Sequence, residues 1–190
     1  MFKFGKSLKT LKGLMTNRLV NNISHHQAKA FLDNGSSLHN CSINGVLEID
    51  AGQEWEKEVV IENCIVENLR CLMVYFQKKV TIKNCYLKNA SFNFSYFFGG
   101  LVIEQCIFNN YLDFEAGGHN DSGFIIIRGN QFKGFVNFCD CWFTSEVYVK
   151  ENVFEKGTNI CSKDQLISCD VPMQLALNSG DLSIESECRD

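Results

Sequence analysis

No part of the sequence approaches the roughly 18 consecutive apolar residues that a membrane-spanning helix needs. The basic opening, MFKFGKSLKTLKGLM, is not followed by the apolar segment and small-residue cleavage site of a secretory signal. We therefore expect a cytoplasmic protein. With 190 residues, 45% of them hydrophobic and 21% charged, the chain has the composition of one soluble globular domain, which excludes a disordered protein.

Short catalytic and cofactor motifs are also missing. The chain contains no serine-hydrolase elbow, P-loop, dinucleotide-binding fingerprint or HExxH sequence. We therefore predict no cofactor, and an enzyme is the less favoured class. The net charge of −4 argues against broad nucleic-acid binding by the body of the protein.

Paired metal-ligand spacing is absent too, although the chain has ten cysteines. No CxxC sequence occurs, so a structural zinc site is not expected. Cys64, Cys85 and Cys106 are spaced evenly, and in a reducing compartment we expect the cysteines to be free thiols that pack as small apolar groups. The CDC sequence at 139–141 is the one pair with scope for another role, and packing is favoured there as well.

What the sequence does contain is a repeat. The segments VVIENCIVEN (59–68), VTIKNCYLKN (80–89) and LVIEQCIFNN (101–110) share one pattern, and IIIRGNQF (125–132) and VYVKENVF (147–154) continue it. The first residues of these five segments are separated by 21, 21, 24 and 22 positions. Self-similarity at such a period is typical of a solenoid.

The residue types select the kind of solenoid. Within one unit, apolar and polar residues alternate with a period of two, and β-branched and aromatic residues are abundant. Helical repeats would need two long segments with a period of 3.6, which the units do not contain. We therefore predict an all-β fold, a right-handed parallel β-helix of about six coils, each with 21–24 residues and three short strands.

Stacked coils place equivalent residues above one another, about 4.8 Å apart. We therefore expect Cys64, Cys85 and Cys106 to form an inward stack. Asn63, Asn84 and Gln105 are expected at a bend, where asparagine tolerates left-handed backbone angles and where side-chain amides could form a ladder.

Over residues 38–168 the sequence resembles right-handed parallel β-helix proteins as a superfamily. The segment VNFCDCWFTSEVYVKENVF has apolar residues every five positions (Phe138, Phe143, Tyr148, Val153), and in this it resembles pentapeptide-repeat proteins. Those proteins keep the five-residue rhythm throughout, whereas here it is local. A pectate-lyase-like coil is also compatible with the pattern.

Residues 1–37 have the features of an N-terminal cap. One predicted amphipathic helix carries Leu8, Leu11, Met15 and Leu19 on one face, and a second begins after Ser24 as N-cap and ends at Asn34–Gly35. This segment has six Lys or Arg residues against one Asp. A membrane-surface contact by residues 1–20 or a targeting role is the alternative to the favoured cap. Residues 169–190 are predicted to be an irregular C-terminal cap or tail, without excluding a further coil.

The longest coil contains a cluster of polar residues in YLDFEAGGHNDSG (111–123), namely Asp113, Glu115, His119 and Asp121. If Leu112 and Phe114 point inward, the two carboxylates lie side by side on the outer face. Such a group could act on a glycosidic bond or hold a calcium ion. The favoured alternative is a solvated face beside a glycine-rich bulge.

Neighbouring aromatic residues recur near the end of the third strand: Tyr75–Phe76, Tyr96–Phe97–Phe98 and Trp142–Phe143. The fourth coil has Gly117–Gly118 there, which predicts a gap in the row beside the bulge. Two adjacent rings of a strand cannot both point inward, so part of the row is expected at the surface, where aromatic rows contact proteins or sugars.

Two function classes follow. The favoured class is a non-catalytic β-solenoid that contacts a protein partner, or associates with itself, through a sheet face, the aromatic row or a solenoid end. The alternative is a carbohydrate-binding or carbohydrate-cleaving protein that uses the fourth-coil acids. The candidate ligand-binding residues for either class are Asp113, Glu115, His119, Asp121, Tyr96, Phe97 and Trp142.

Overall fold

The computed structural model describes residues 21–49, 54–163 and 166–185, which wind into a parallel β-solenoid. Each coil contributes to up to three sheets. Sheet A contains β1 (Asn21–Ser24), β3 (Cys41–Ile49), β6 (Ile65–Cys71), β9 (Tyr86–Ser91), β11 (Ile107–Phe108), β12 (Leu112–Asp113), β14 (Gln131–Phe132), β15 (Val136–Asn137) and β18 (Val153–Phe154).

Sheet B has one strand from each of seven coils and shows the repeat most directly. It contains β2 (Leu38–His39), β5 (Val59–Glu62), β8 (Val80–Lys83), β10 (Leu101–Glu104), β13 (Ile125–Arg128), β17 (Val147–Lys150) and β20 (Gln174–Ala176). The five segments identified in the sequence begin in β5, β8, β10, β13 and β17, in register. The predicted parallel β-solenoid is confirmed, with six to seven coils.

Sheet C is the shortest of the three. It contains β4 (Glu54–Trp55), β7 (Tyr75–Phe76), β16 (Trp142–Phe143) and β19 (Ser168–Cys169). Single bridges at Tyr96 and Gly118 connect β7 to β16 through the two coils between them.

The core is the inward half of the alternating pattern. In β8, for example, Val80 and Ile82 are buried whereas Thr81 and Lys83 are partly exposed. Six phenylalanines are among the largest fully buried side chains, and they stack between coils: Phe76, Phe92, Phe97, Phe108, Phe132 and Phe154.

The bend between sheets B and A is made by residues in the left-handed backbone region. Asn63, Asn84 and Gln105 have φ between 52° and 56°, and Gly129 and Glu151 continue the column. Each of their backbone N–H groups donates to a carbonyl of the next coil. The prediction of left-handed corner residues is confirmed.

The second helix that the sequence predicts is present and covers the N-terminal end of the solenoid. Helix α1 (His25–Asp33) has Ser24 as its N-cap, whose side chain accepts a hydrogen bond from the backbone of Gln27, and its last turn is followed by Gly35 at φ 73°. Ala28 and Leu32 are fully buried among the core residues. Strand β1, which the pattern did not predict, pairs with β3. The helix predicted around Leu8–Leu19 lies outside the described residues.

The C-terminal segment forms a further coil. Strand β20 pairs with β17, and Ser179 bridges to Val153, so the chain continues the stack beyond residue 168. Leu175 lies next to the buried Val149 in register but is 37% exposed, because no described residue covers this coil. Among the described residues, no helix is long and apolar enough to cross a membrane.

Candidate functional site

The surface of sheet C carries a continuous stack of rings, which we call the aromatic column: Tyr75, Tyr96, His119 and Trp142. The rings of Tyr75 and Tyr96 are parallel, with centroids 5.0 Å apart. His119 stacks on the other side of Tyr96 at 4.3 Å. Trp142 contacts His119 edge to face at 4.7 Å. The column therefore spans four coils.

His119 is the residue that makes the column continuous. The predicted gap in the fourth coil is wrong, because the imidazole of His119 fills the space that Gly117 and Gly118 leave between Tyr96 and Trp142. The backbone of His119 has φ 39°, which directs its side chain into the row. In the sequence, the only indication of this role is a histidine beside two glycines. The orientation of the imidazole depends on the neighbouring coils.

Gly118 stays within the stack and does not leave it. It bridges Tyr96 on one side and Trp142 on the other, at φ 109°, and a Cβ there would lie 2.5 Å from the Trp142 carbonyl oxygen. The extra residues of the fourth coil leave the stack after Gly118, in the connection to Ile125. Six residues separate Gly118 from Ile125, whereas four separate Trp142 from Val147.

This loop is attached to the coil that follows. Asn120 is fully buried; its amide donates to the Glu146 carbonyl at 3.2 Å and accepts from the Ser145 backbone at 3.0 Å. The bulge is therefore fixed to the next coil by hydrogen bonds, next to the rings of the aromatic column.

Trp142 ends the aromatic column at its most exposed point. Its side chain is 45% exposed, and its indole Nε1 donates to Asp170 Oδ1 at 3.1 Å. Phe97, which was predicted with it, is 1% exposed and stacks on Phe76 at 5.3 Å in the core. Of the three predicted aromatic contact residues, Tyr96 and Trp142 lie at the surface and Phe97 does not.

Asp113 belongs to a hydrogen-bonded chain of polar side chains, which we call the polar ladder: Asn93, Asp113, Asn137 and Asn159. Only 8% of Asp113 is exposed. Its carboxylate accepts from Asn93 at 2.8 Å, from Asn137 at 3.0 Å and from the backbone of Glu115 at 3.2 Å. Leu112 and Phe114 do point into the core, but the solvated position predicted for Asp113 is wrong. The carboxylate is used in bonds between coils.

The other predicted residues are not part of the polar ladder. Glu115 is half-buried, His119 lies in the aromatic column, and Asp121 is exposed in the loop of the bulge. Within the described part of the chain, no group of three or more His, Cys, Asp or Glu residues could hold a metal ion. His119 and Asp121 thus lie in environments of their own, whereas Glu115 contacts Asp113 through its backbone N–H.

Burial also changes the proton affinity of two members of the aromatic column. It lowers the pKa of His119, which keeps the imidazole neutral at neutral pH. Burial, together with the nearby Tyr75 and Asp140, raises the pKa of Tyr96. The aromatic column is therefore uncharged at neutral pH, and contact with an apolar surface removes no full charge from water.

The cysteine stack forms as predicted and has a continuation that the sequence pattern did not suggest. Cys41, Cys64, Cys85 and Cys106 are buried free thiols in successive coils. In the next three coils Asn130, Asn152 and Asn178 take the same position and form an amide ladder. The free-thiol prediction is wrong for Cys139, which is disulfide-bonded.

Comparisons of the chain with protein-family models, with curated proteins and with solved structures find no match. The resemblance to pentapeptide-repeat proteins accordingly has no support beyond the solenoid architecture.

Proposed function

We propose that the protein is a non-catalytic binding module that contacts a protein partner through the aromatic column. The observation that carries this proposal is the stack of four rings on the outside of sheet C, which ends at the exposed Trp142. Tryptophan and tyrosine are enriched among the residues that dominate protein interfaces, since they bury a large area at low cost in side-chain entropy.

The geometry of the rings favours a protein over a sugar. A sugar ring binds against the face of an aromatic ring, but Tyr75 and Tyr96 are parallel and each covers a face of the other. His119 covers the second face of Tyr96. Both faces of Tyr96 and one face of Tyr75 are therefore closed to a sugar ring, and Trp142, set nearly perpendicular to His119, does not extend the parallel stack.

The positions of Asp113 and Glu115 also favour binding over cleavage of a glycosidic bond. A glycosidase needs two carboxyl groups on either side of the scissile bond. Asp113 is instead enclosed by Asn93 and Asn137, and Glu115 is bonded to it through the backbone.

The proposal is tested with three immobilised proteins: the parent, Trp142→Ala and Phe31→Ala. Phe31 is 48% exposed on α1, so its substitution removes a ring of similar exposure away from the aromatic column. We expect a defined protein from an extract of the source cells to be retained by the parent and by Phe31→Ala and to be lost with Trp142→Ala.

Direct binding is then measured with the purified partner in a Trp55→Phe background, where Trp142 is the only tryptophan. We expect a shift in its emission as the partner excludes water. Equal retention by all three proteins would contradict the proposal. A shift produced by soluble oligosaccharides, and by no protein, would support the carbohydrate alternative instead.

A further inference from the structure

Sheet B presents two parallel rows of outward side chains. The first row, one residue per coil, is Val60, Thr81, Val102, Ile126 and Tyr148; it is apolar or aromatic except at Thr81, and Val102 is only 6% exposed. The charged row, two positions along the same strands, is Glu62, Lys83, Glu104, Arg128 and Lys150. Both rows are in register from β5 to β17, so sheet B combines an apolar strip with an adjacent line of alternating charge.

The charged row is already organised within the chain. Glu104 accepts from Lys83 at 2.9 Å and from Arg128 at 2.7 Å, and its side chain is 14% exposed. Lys83 and Arg128 are 37% and 54% exposed, so both keep donors on the outer surface. Along the solenoid the first four signs therefore read negative, positive, negative, positive, and Lys150 adds a final positive charge.

Two copies can face each other through sheet B with a two-fold axis that lies parallel to the strands. Such an axis reverses the order of the coils but keeps each position along the strand. Each row therefore meets its own row in reverse order. Self-complementarity of this kind is what a symmetric dimer requires.

One position of the axis pairs each of the first four charges of the row with an opposite charge, and Lys150 then meets His39, which holds the row position in β2. With the axis between β8 and β10, Lys83 faces Glu104 of the second copy, and Glu62 faces its Arg128. An axis through β10 places two Glu104 carboxylates together. An axis between β10 and β13 sets Lys83 against Lys150, and one between β5 and β8 leaves Arg128 without an opposite charge.

We propose that the protein forms a two-fold dimer through sheet B, with the axis between β8 and β10. In this arrangement Val60 packs on Ile126 of the second copy, and Thr81 packs on its Val102. Burial of the partly exposed Val60, Ile126 and Tyr148 supplies the attraction. The charged row fixes the register, because exposed ion pairs contribute more to specificity than to affinity. The dimer uses a different surface from the aromatic column and does not depend on the proposed function.

The test is a mixing experiment with two full-length variants. Lys83→Glu/Arg128→Glu makes the first four charges of the row negative, and Glu62→Lys/Glu104→Lys makes them positive. In sedimentation velocity over a wide range of concentrations, we expect the parent to show a monomer–dimer equilibrium. Each variant alone is expected to be monomeric, and an equal mixture to regain the dimer. Circular dichroism checks that both variants are folded.

A matched pair on sheet A is the control. Glu48 and Glu67 form ion pairs with Arg70 and Lys88 on an exposed face. Glu48→Lys/Glu67→Lys and Arg70→Glu/Lys88→Glu should each dimerise as the parent does. A parent that is monomeric at every concentration, or folded variants that stay monomeric when mixed, would overturn the dimer. Loss of the dimer with unchanged Trp142-dependent binding would leave the proposed function intact, and the reverse would leave the dimer intact.

Discussion

At the scale of the residue, the position that follows the left-handed corner is occupied by cysteine in some coils and by asparagine in others. Cysteine occupies it in four coils, where the backbone N–H of Cys64 points at Cys85 Sγ, 3.4 Å away. Asparagine occupies it from Asn130 onward, where each backbone N–H donates to an amide oxygen at 3.0 Å. Both side chains place an acceptor over the N–H of the coil below, which would otherwise be buried without a partner.

This position predicts a large cost for Asn152→Ala. The Asn152 amide oxygen accepts from the backbone and the side chain of Asn130, and its NH₂ group donates to the Ile127 carbonyl at 2.9 Å. Loss of these bonds leaves buried groups unsatisfied, so we expect the free energy of unfolding to fall by about 2–4 kcal/mol. Urea unfolding measures this, with Asn110→Ala as control. Asn110 is exposed, and a comparable loss there would contradict the explanation.

The buried thiols predict a loss of stability at alkaline pH. Burial raises the pKa of Cys71 and of Cys141, so both remain protonated in the folded protein, and the nearby Glu48 adds to the rise in the pKa of Cys71. In the unfolded chain these thiols ionise at about pH 8.5. The stabilisation is therefore fully present below that pH and is lost as the pH rises, because the unfolded state then releases protons that the folded state retains.

We expect the free energy of unfolding to decrease between about pH 8 and pH 10, and Cys71→Ala to show a smaller decrease than the parent. Urea unfolding across this range is the measurement. Thiol labelling of the folded protein should modify the exposed Cys161 well before Cys64, Cys85 and Cys106. Rapid labelling of these three buried thiols would show that the stack opens.

At the scale of the element, sheet C shows how little pairing is needed when the stack is in register. Its middle coils contribute only single bridges, at Tyr96 and Gly118. The backbone of Gly118 nevertheless approaches Trp142 closely, because the absence of a side chain lets the coils maintain their spacing.

Gly118→Ala should therefore be far more damaging than a substitution at Gly129. A Cβ at Gly118 would lie 2.5 Å from the Trp142 carbonyl oxygen, whereas a Cβ at Gly129 would meet nothing closer than 3.7 Å. Gly129 also lies in the left-handed column that holds Asn63 and Asn84. We expect Gly118→Ala to cost about 2–4 kcal/mol and Gly129→Asn less than about 1 kcal/mol.

Thermal unfolding compares the two variants, and Trp142 emission in a Trp55→Phe background reports on sheet C. A change in this emission is expected for Gly118→Ala alone. Equal stability of the two variants would show that the close approach at Gly118 relaxes without cost.

At the scale of the whole molecule, the two ends of the solenoid differ. At the N-terminal end, α1 packs Ala28 and Leu32 into the core. At the C-terminal end, Leu175 and Leu177 are 37% and 81% exposed within the described residues. An uncovered coil exposes both strand edges and apolar side chains, so the contribution of each end to solubility is testable.

Deletion of residues 1–37 should expose the first coil and cause aggregation, since it removes β1 and α1 together. Deletion of residues 1–20 alone retains both elements and should leave the protein soluble. Light scattering and size-exclusion chromatography compare the two proteins with the parent. A soluble, equally stable protein without residues 1–37 would show that α1 is not needed as a cap.

The sequence alone was sufficient for the features that every coil repeats. The period, the alternation within β8 and the recurrence of Asn63 and Asn84 indicate stacked parallel strands, because each coil must satisfy the packing and hydrogen bonds of its neighbours. Local chemistry was equally direct at Ser24 and Gly35, which delimit α1 as predicted.

The tertiary structure decided what lies between coils. Asp113 alternates with apolar neighbours and looks solvent-facing in sequence, yet it bonds to Asn93 and Asn137, which are 20 and 24 residues away. His119 looks like part of a loop but completes the aromatic column. Both outcomes depend on the register of three successive coils and on where the fourth coil places its extra residues. Those contacts are long-range, so the pattern within a single coil does not contain them.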